Sequence, residues 1–209
     1  FKNSYNGLHN FSFNLESGQL VAIMGGSGVG KSTLLGIMNG NIRPDKGMIT
    51  VNGHPLDSPD ARQLIGFVPQ DDLLIEELTV YQNLLYTARL CFARLTDEEI
   101  GQRVEKVLKE LIREPAILYL DEPTSGLSSS DSEKVIMLLK EQTHQGKLVV
   151  VNIHQPSSEI YKLFDCLWLL DRGGYPIYDG NPIEAITYFK QPAKYTDPDI
   201  SVCSVCGNV

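Results

Sequence analysis

"LVAIMGGSGVGKST", residues 20–33, decides the fold. Its first six residues form a continuous apolar run closed by glycine, the pattern of a strand buried on both faces. From Gly25 to Ser32 the stretch fits GxxxxGK[ST], and a helical pattern opens at Thr33. The glycines let the backbone wrap closely enough for its N–H groups to point at phosphate oxygens, and the helix that follows adds its positive end. Lys31 is placed to reach β- and γ-phosphates, and the Ser32 hydroxyl to ligate Mg²⁺. Gly25, Gly26, Ser27, Gly28, Val29, Gly30, Lys31, Ser32 and Thr33 are therefore the expected nucleotide-binding residues. The alternative is a glycine-rich turn with a chance lysine, and the strand–loop–helix setting argues against it.

Outward from this loop the chain alternates short apolar runs with longer helical patterns. "FSFNLESG" (11–18) carries Phe11, Phe13 and Leu15 at strand spacing before a turn at Gly18. "MITVNG" and "LIGFVP" read as strands bounded by Gly and Pro. Residues 97–112 place Ile100, Val104, Val107, Leu108 and Leu111 on one helical face, with Thr96 as N-cap. "AILYLDE" (116–122), "KLVVVNIH" (147–154) and "DCLWLLD" (165–171) are further strands. A helix ending at Gly146 and a short one over "PIEAITYFK" complete the pattern. Such alternation implies a mainly parallel sheet covered on both faces, with binding loops at the carboxyl ends of its strands.

Three of those strand ends carry chemistry. "ILYLDEP" presents Asp121, suited to hold a magnesium shell through water, and Glu122, a candidate general base for the attacking water. Strand side chains alternate, so the two carboxylates point differently. Alone, this piece is equally a strand that happens to end in acids; beside the phosphate loop it reads as a site. "VVVNIHQP" delivers His154 to the same edge, where a γ-phosphate contact competes with the plainer role of a packed histidine. "FVPQDD" ends another strand at Pro69 and displays Gln70, Asp71 and Asp72; the Gln70 amide can reach Mg²⁺ or the lytic water.

The composition fits a globular chain: of 209 residues, 42% are hydrophobic and 21% charged. With 18 basic against 26 acidic residues the net charge is −8, which argues against broad binding to nucleic acid or anionic lipid. No apolar run approaches the roughly 20 residues of a membrane span. The chain starts at Phe1 and stops at "SVCSVCGNV", so both ends read as cut. Cys91 and Cys166 stand singly in apolar surroundings and read as small buried hydrophobes. Cys203 and Cys206 form a CxxC, either half of a zinc site or an incidental pair in a loose tail.

Assembled, these residues resemble the nucleotide-binding domain of ATP-binding cassette (ABC) transporters, over roughly residues 1–190, with 191–209 as a C-terminal tail. "GGSGVGKST" is similar to the Walker A motif, "FVPQDD" to the Q-loop, "ILYLDEP" to Walker B with its catalytic glutamate, and "NIHQP" to the H-loop. "DEPTSGL", "HQPSSEIYKLFDCLWLL" and "YDGNPIEAITYF" look most like the G subfamily, whose members pump lipophilic compounds and lipids. The resemblance implies a P-loop NTPase α/β fold, the mainly parallel sheet flanked by helices and joined by an N-terminal antiparallel β portion. It implies ATP and Mg²⁺ as ligands, and Glu122, His154, Gln70 and Lys31 as catalytic residues. It also implies a homodimer or pseudo-dimer on transmembrane domains, held by another chain or by a C-terminal part beyond this one. The location it implies is cytoplasmic, peripheral to the membrane. The family stacks adenine on an aromatic residue near the position of Phe1, with Tyr5 as a fallback.

Two departures stand out. The family's LSGGQ-like signature, carried on a helical subdomain between Q-loop and Walker B, is absent; a few dozen family residues are missing at a junction near Glu110–Leu111, either deleted or present in the molecule and left out of this sequence. After "TSGL" the family has an aspartate where this chain has Ser128. In the family each ATP lies between one Walker A and the other subunit's signature, so the resemblance implies a chain that binds Mg·ATP but hydrolyses it poorly. Export is the leading reading. A regulatory nucleotide sensor with little turnover and a non-transport ABC ATPase are the alternatives.

Overall fold

The computed structural model describes residues 7–9, 11–70, 78–91, 95–111 and 114–190. They fall into two compact units, one drawn from residues before Asp71 and from Pro115 onward, the other from Asp71–Glu114.

The larger unit opens with β1 (Leu20–Gly25), α1 (Lys31–Met38), β2 (Thr50–Val51), β3 (His54–Pro55), α2 (Pro59–Arg62) and β4 (Ile65–Val68). The smaller unit holds α3 (Val80–Cys91) and α4 (Asp97–Leu111). The chain then returns to the larger unit as β5 (Ile117–Asp121), α5 (Ser129–His144), β6 (Leu148–Asn152), α6 (Ser158–Tyr161), β7 (Cys166–Asp171), β8 (Tyr175–Gly180) and α7 (Pro182–Lys190). The main sheet runs β4-β5-β6-β1-β7-β8, parallel throughout except for β8, which pairs antiparallel with β7.

Because successive strand residues point to opposite faces, the continuous apolar runs feed two cores at once. Leu20, Ala22, Val149, Val151 and Leu120 join Ile136 of α5, Ile160 and Phe164 on one face. Val21, Ile23, Leu148, Val150 and Tyr119 join Leu34, Leu35 and Met38 of α1 on the other. Burial on both faces is why these strands read as unbroken hydrophobic runs. It also fixes which face each polar residue at a strand end will serve.

The expected strand over residues 11–18 is a correction: residues 11–16 carry no strand pairing, although the turn at Gly18 is present. Alternation at Phe11, Phe13 and Leu15 reports one buried face and not a hydrogen-bonded ladder. Both phenyl rings rest on Trp168, edge-on at 4.8 Å for Phe11 and tilted at 5.0 Å for Phe13. Among the described residues the antiparallel pairs are β2–β3 and β7–β8.

In the smaller unit both helices open on a reciprocal cap. The Thr96 N–H donates to Glu99 Oε2 at 2.8 Å, and the Glu99 N–H donates to Thr96 Oγ1 at 3.3 Å. Thr79 and Gln82 repeat the arrangement at the start of α3, with distances of 2.9 and 3.2 Å. These caps set the helix starts at Val80 and Asp97. The helical pattern expected over 97–112 is thus met by α4, which ends at Leu111, beside the junction where the sequence departs from its family pattern.

Candidate nucleotide site

β1 hands the chain to the loop 25–30 through backbone conformations that demand glycine. Gly25 has φ +150°, and a Cβ there would lie 2.5 Å from the Leu170 carbonyl oxygen of the neighbouring strand. Gly30, the N-cap of α1, has φ +104° and supplies no side-chain cap, and no acidic residue follows in the first turn. No acidic side chain within the first turn of α1 therefore competes for its N–H groups, which favours a bound phosphate. Lys31 is only 6% exposed, and its Nζ donates to the carbonyls of Gly25 at 3.1 Å and Gly26 at 3.0 Å. Val29 differs from the rest of the loop: its side chain is buried in the α1-side core.

Strand alternation brings the next group together. Asp121 lies two residues beyond Tyr119, and Asn152 two beyond Val150, so both serve the face that α1 covers. They stand opposite each other in the parallel register of β5 and β6. Ser32 Oγ donates to Asp121 Oδ1 at 3.3 Å; Asn152 Nδ2 donates to the same carboxylate oxygen and, at 3.4 Å, to Ser32 Oγ. Asp121 is 9% exposed and Asn152 wholly buried. Asn152 escaped the sequence reading, yet it left a signal there: one amide closing an otherwise apolar run, "VVVN".

Just past these residues the strands release their ends into one cleft of about 630 Å³. Its walls are Ser27, Gly28, Gly30, Lys31, Ser32, Thr33, Gln70, Glu122, Thr124, Ser125 and His154. Gln70 follows β4, Glu122 β5 and His154 β6, while the glycine loop follows β1. These are four consecutive strands of the sheet. Glu122 leaves its strand with φ +46°, its N–H donating to the Asn152 carbonyl at 2.9 Å, and a turn closes from Ser125 N–H to Glu122 O at 3.0 Å. Gln155, beside His154, is likewise left-handed at φ +50°. Unusual backbone of this kind gathers where side chains must be aimed at a ligand. Thr124 and Ser125, both missed in the sequence, are hydroxyl donors on the same wall.

Of the other sequence candidates, Phe1, Tyr5, Asp71, Asp72, Cys203 and Cys206 lie outside the described residues. Among the described residues no group of three or more His, Cys, Asp or Glu could hold a metal ion. Ser128 is the N-cap of α5: its hydroxyl accepts the Asp131 N–H at 3.2 Å and donates to Asp131 Oδ2 at 2.7 Å.

A family model described as "ABC transporter" matches residues 8–112. The "ABC-type transporter claG" of Penicillium crustosum is 36% identical over 217 aligned positions, covering 88% of this chain and 29% of that protein. The chain belongs to the ABC transporter family. The "ABC transporter G family member 26" of Arabidopsis thaliana is 34% identical over 206 positions, covering 82% of this chain and 30% of its own length. This ABC domain therefore spans about a third or less of the relatives it matches. Among solved structures, the ATP-binding cassette MJ0796, in a dimeric post-hydrolysis state bound to ADP and Pi, superposes with a TM-score of 0.61 at 26% identity. That match covers 84% of this chain and 90% of the other. The fold is thus that of an ABC ATP-binding domain. The Penicillium alignment is longer than the whole 209-residue chain, so that relative carries residues inside the matched stretch that this chain lacks. The family match also ends at residue 112, close to the junction near Glu110–Leu111.

Among the described residues no helix is long and apolar enough to cross a membrane.

Proposed function

We propose that this chain is the ATP-binding and ATP-hydrolysing part of an ABC exporter, coupling nucleotide state to transmembrane domains that lie outside it. The observation that carries the reading is the convergence of Lys31, Ser32, Gln70, Glu122 and His154 on one cleft at the carboxyl edge of the parallel sheet.

In this reading Lys31 exchanges its two backbone carbonyls for β- and γ-phosphate oxygens, and the loop and first-turn N–H groups hold the rest of the phosphate chain. The donor set at the cleft fits a hard cation: a hydroxyl at Ser32, a carboxylate at Asp121 and an amide at Gln70. Ser32, Gln70 and Asp121 would hold Mg²⁺, and the ion, when bound, would neutralise the charge that develops on the phosphates. Glu122 accepts the proton of the attacking water, and His154 contacts the γ-phosphate. Gln70 carries the state of the site to the transmembrane partner, and two such domains pair across their nucleotides. The assembly sits on the cytoplasmic face of a membrane through those partners, with no role for nucleic acid.

Because the residues missing near Leu111 are those that would bring the signature to the opposite subunit, this chain binds Mg·ATP and turns it over slowly. Titrating the 209-residue chain with ATP in the presence of Mg²⁺, together with steady-state phosphate release, tests both halves. Saturable binding with little turnover is expected. Absence of binding would overturn the nucleotide reading, and brisk cooperative turnover would overturn the role given to the missing segment.

A further inference from the structure

Asn152 is the one residue at the phosphate edge that is fully buried, polar and without a part in the chemistry outlined above. Its amide touches two groups assigned to the cation. Nδ2 donates to Asp121 Oδ1 and, at 3.4 Å, to Ser32 Oγ, which itself donates to Asp121 Oδ1 at 3.3 Å. The amide orientation follows from chemistry: turned over, its carbonyl would face a carboxylate in a site closed to water, whereas the NH₂ group satisfies it. The carbonyl oxygen is then left with no donor among the described residues. An orphaned acceptor at zero exposure is a standing cost. What the asparagine does make is a pair of donated bonds that join both groups assigned to the cation, Asp121 and Ser32.

We propose that Asn152 is a positioning residue for the divalent cation of Mg·ATP, an inference that rests on the nucleotide-site reading above. By occupying Oδ1 of Asp121, the amide fixes the carboxylate's rotation. By its second, longer contact it holds the Ser32 hydroxyl against the same carboxylate. The direct β5–β6 register of Asp121 and Asn152 makes this a property of the sheet and not of a loop. Among the described residues no hydrogen bond links this amide to Lys31, whose Nζ donates to Gly25 and Gly26, so the effect of Asn152 falls on the metal-dependent part of binding.

The test uses the intact chain carrying Asn152→Ala, with Asn152→Leu as a second variant that keeps the branched outline of the side chain, though it is bulkier, while removing its polar atoms. Thermal melting without ligand establishes folding. Affinity for ATP is then measured in EDTA and across a Mg²⁺ titration, and Mn²⁺ binding in the presence of ADP is read by electron paramagnetic resonance. The expected result is metal-free ATP affinity within about twofold of the parent, with the Mg²⁺ and Mn²⁺ needed for half-saturation raised about tenfold, the scale of one lost hydrogen bond to a charged group. A merely structural role would shift both affinities together or neither. Unchanged metal dependence in a folded variant would overturn the proposal while leaving the nucleotide site standing. Failure of the parent chain to bind ATP under any condition would overturn the site reading itself, and this inference with it.

Discussion

Lys31 Nζ is held by its own loop, donating to Gly25 O at 3.1 Å and Gly26 O at 3.0 Å, so the cation that should meet phosphate is already aimed and mostly desolvated. An ammonium fixed this way loses little freedom when phosphate oxygens replace the carbonyls. Lys31→Ala should leave the fold intact and weaken ATP binding by about 10- to 100-fold, the scale of hydrogen bonds to a charged group. Calorimetric titration with ATP checks this. Affinity equal to the parent's would remove Lys31 from the site.

Glu122 stands at φ +46° directly after β5, with its N–H tied to the Asn152 carbonyl. The carboxylate therefore leaves the strand's alternation and joins the cleft wall, whereas Asp121 stays on the α1 face. In a full-length protein that turns over, Glu122→Gln should keep nucleotide binding and lower hydrolysis by about 10²- to 10⁴-fold, the usual worth of a general base. Single-turnover phosphate release is the measurement. Undiminished release would rule out Glu122 as the base.

Much of the architecture was legible because parallel strands buried on both faces leave an unmistakable record. The runs at residues 20–25, 117–121, 148–152 and 166–171 are strands in the structure, and each hands a loop to the same edge. The phosphate loop was legible for a different reason: only glycine tolerates φ +104° at residue 30 or the 2.5 Å approach of Leu170 O at residue 25. Residues 11–16 were misread because Phe11 and Phe13 alternate to cover Trp168, and packing on a ring leaves the same trace as pairing in a ladder. Asn152 was overlooked because motif reading stops at residues that touch substrate. The period-2 rule that places Tyr119 and Val150 on the α1 face would have put Asn152 beside Asp121.

Ser128 stands where the family pattern has aspartate, and in this structure its hydroxyl caps α5 through the Asp131 N–H at 3.2 Å. Either residue type can cap a helix, so Ser128→Asp should be close to neutral for stability, while Ser128→Ala should cost about 1 kcal/mol. The Ser128 hydroxyl and Lys134 also hold the Asp131 carboxyl below its ordinary range. A group depressed in the folded state contributes stability at pH values above its unfolded range and loses it as pH falls through the folded value. The Ser128→Ala deficit should therefore shrink on acidification below about pH 4, where the parent also loses this bond. Urea midpoints at pH 7 and pH 3 test the pair; a deficit that does not change with pH would refute the coupling.

Cys166 opens β7 with its Sγ 3.5 Å from Asp179 Oδ1, the oxygen that also receives Trp168 Nε1 at 2.8 Å. Burial, and then the Asp179 charge, pushes the thiol from an ordinary 9.0 up to about 11, and burial pushes the Tyr119 phenol from 10.0 to about 12. For acids whose folded value is raised, the stabilising contribution is complete below the unfolded value and is lost as pH climbs through the folded one. The urea midpoint should thus hold steady to about pH 9 and then fall across the window to about pH 12. The same shift predicts slow chemistry at the thiol, because the thiolate is the nucleophile. At pH 8, alkylation of the peptide containing Cys166 should run slower in the native chain than in urea, because less of the raised thiol is ionised. Equal rates in the two states would show that the thiol is neither buried nor tied to Asp179, and would remove Cys166 from the alkaline loss of stability.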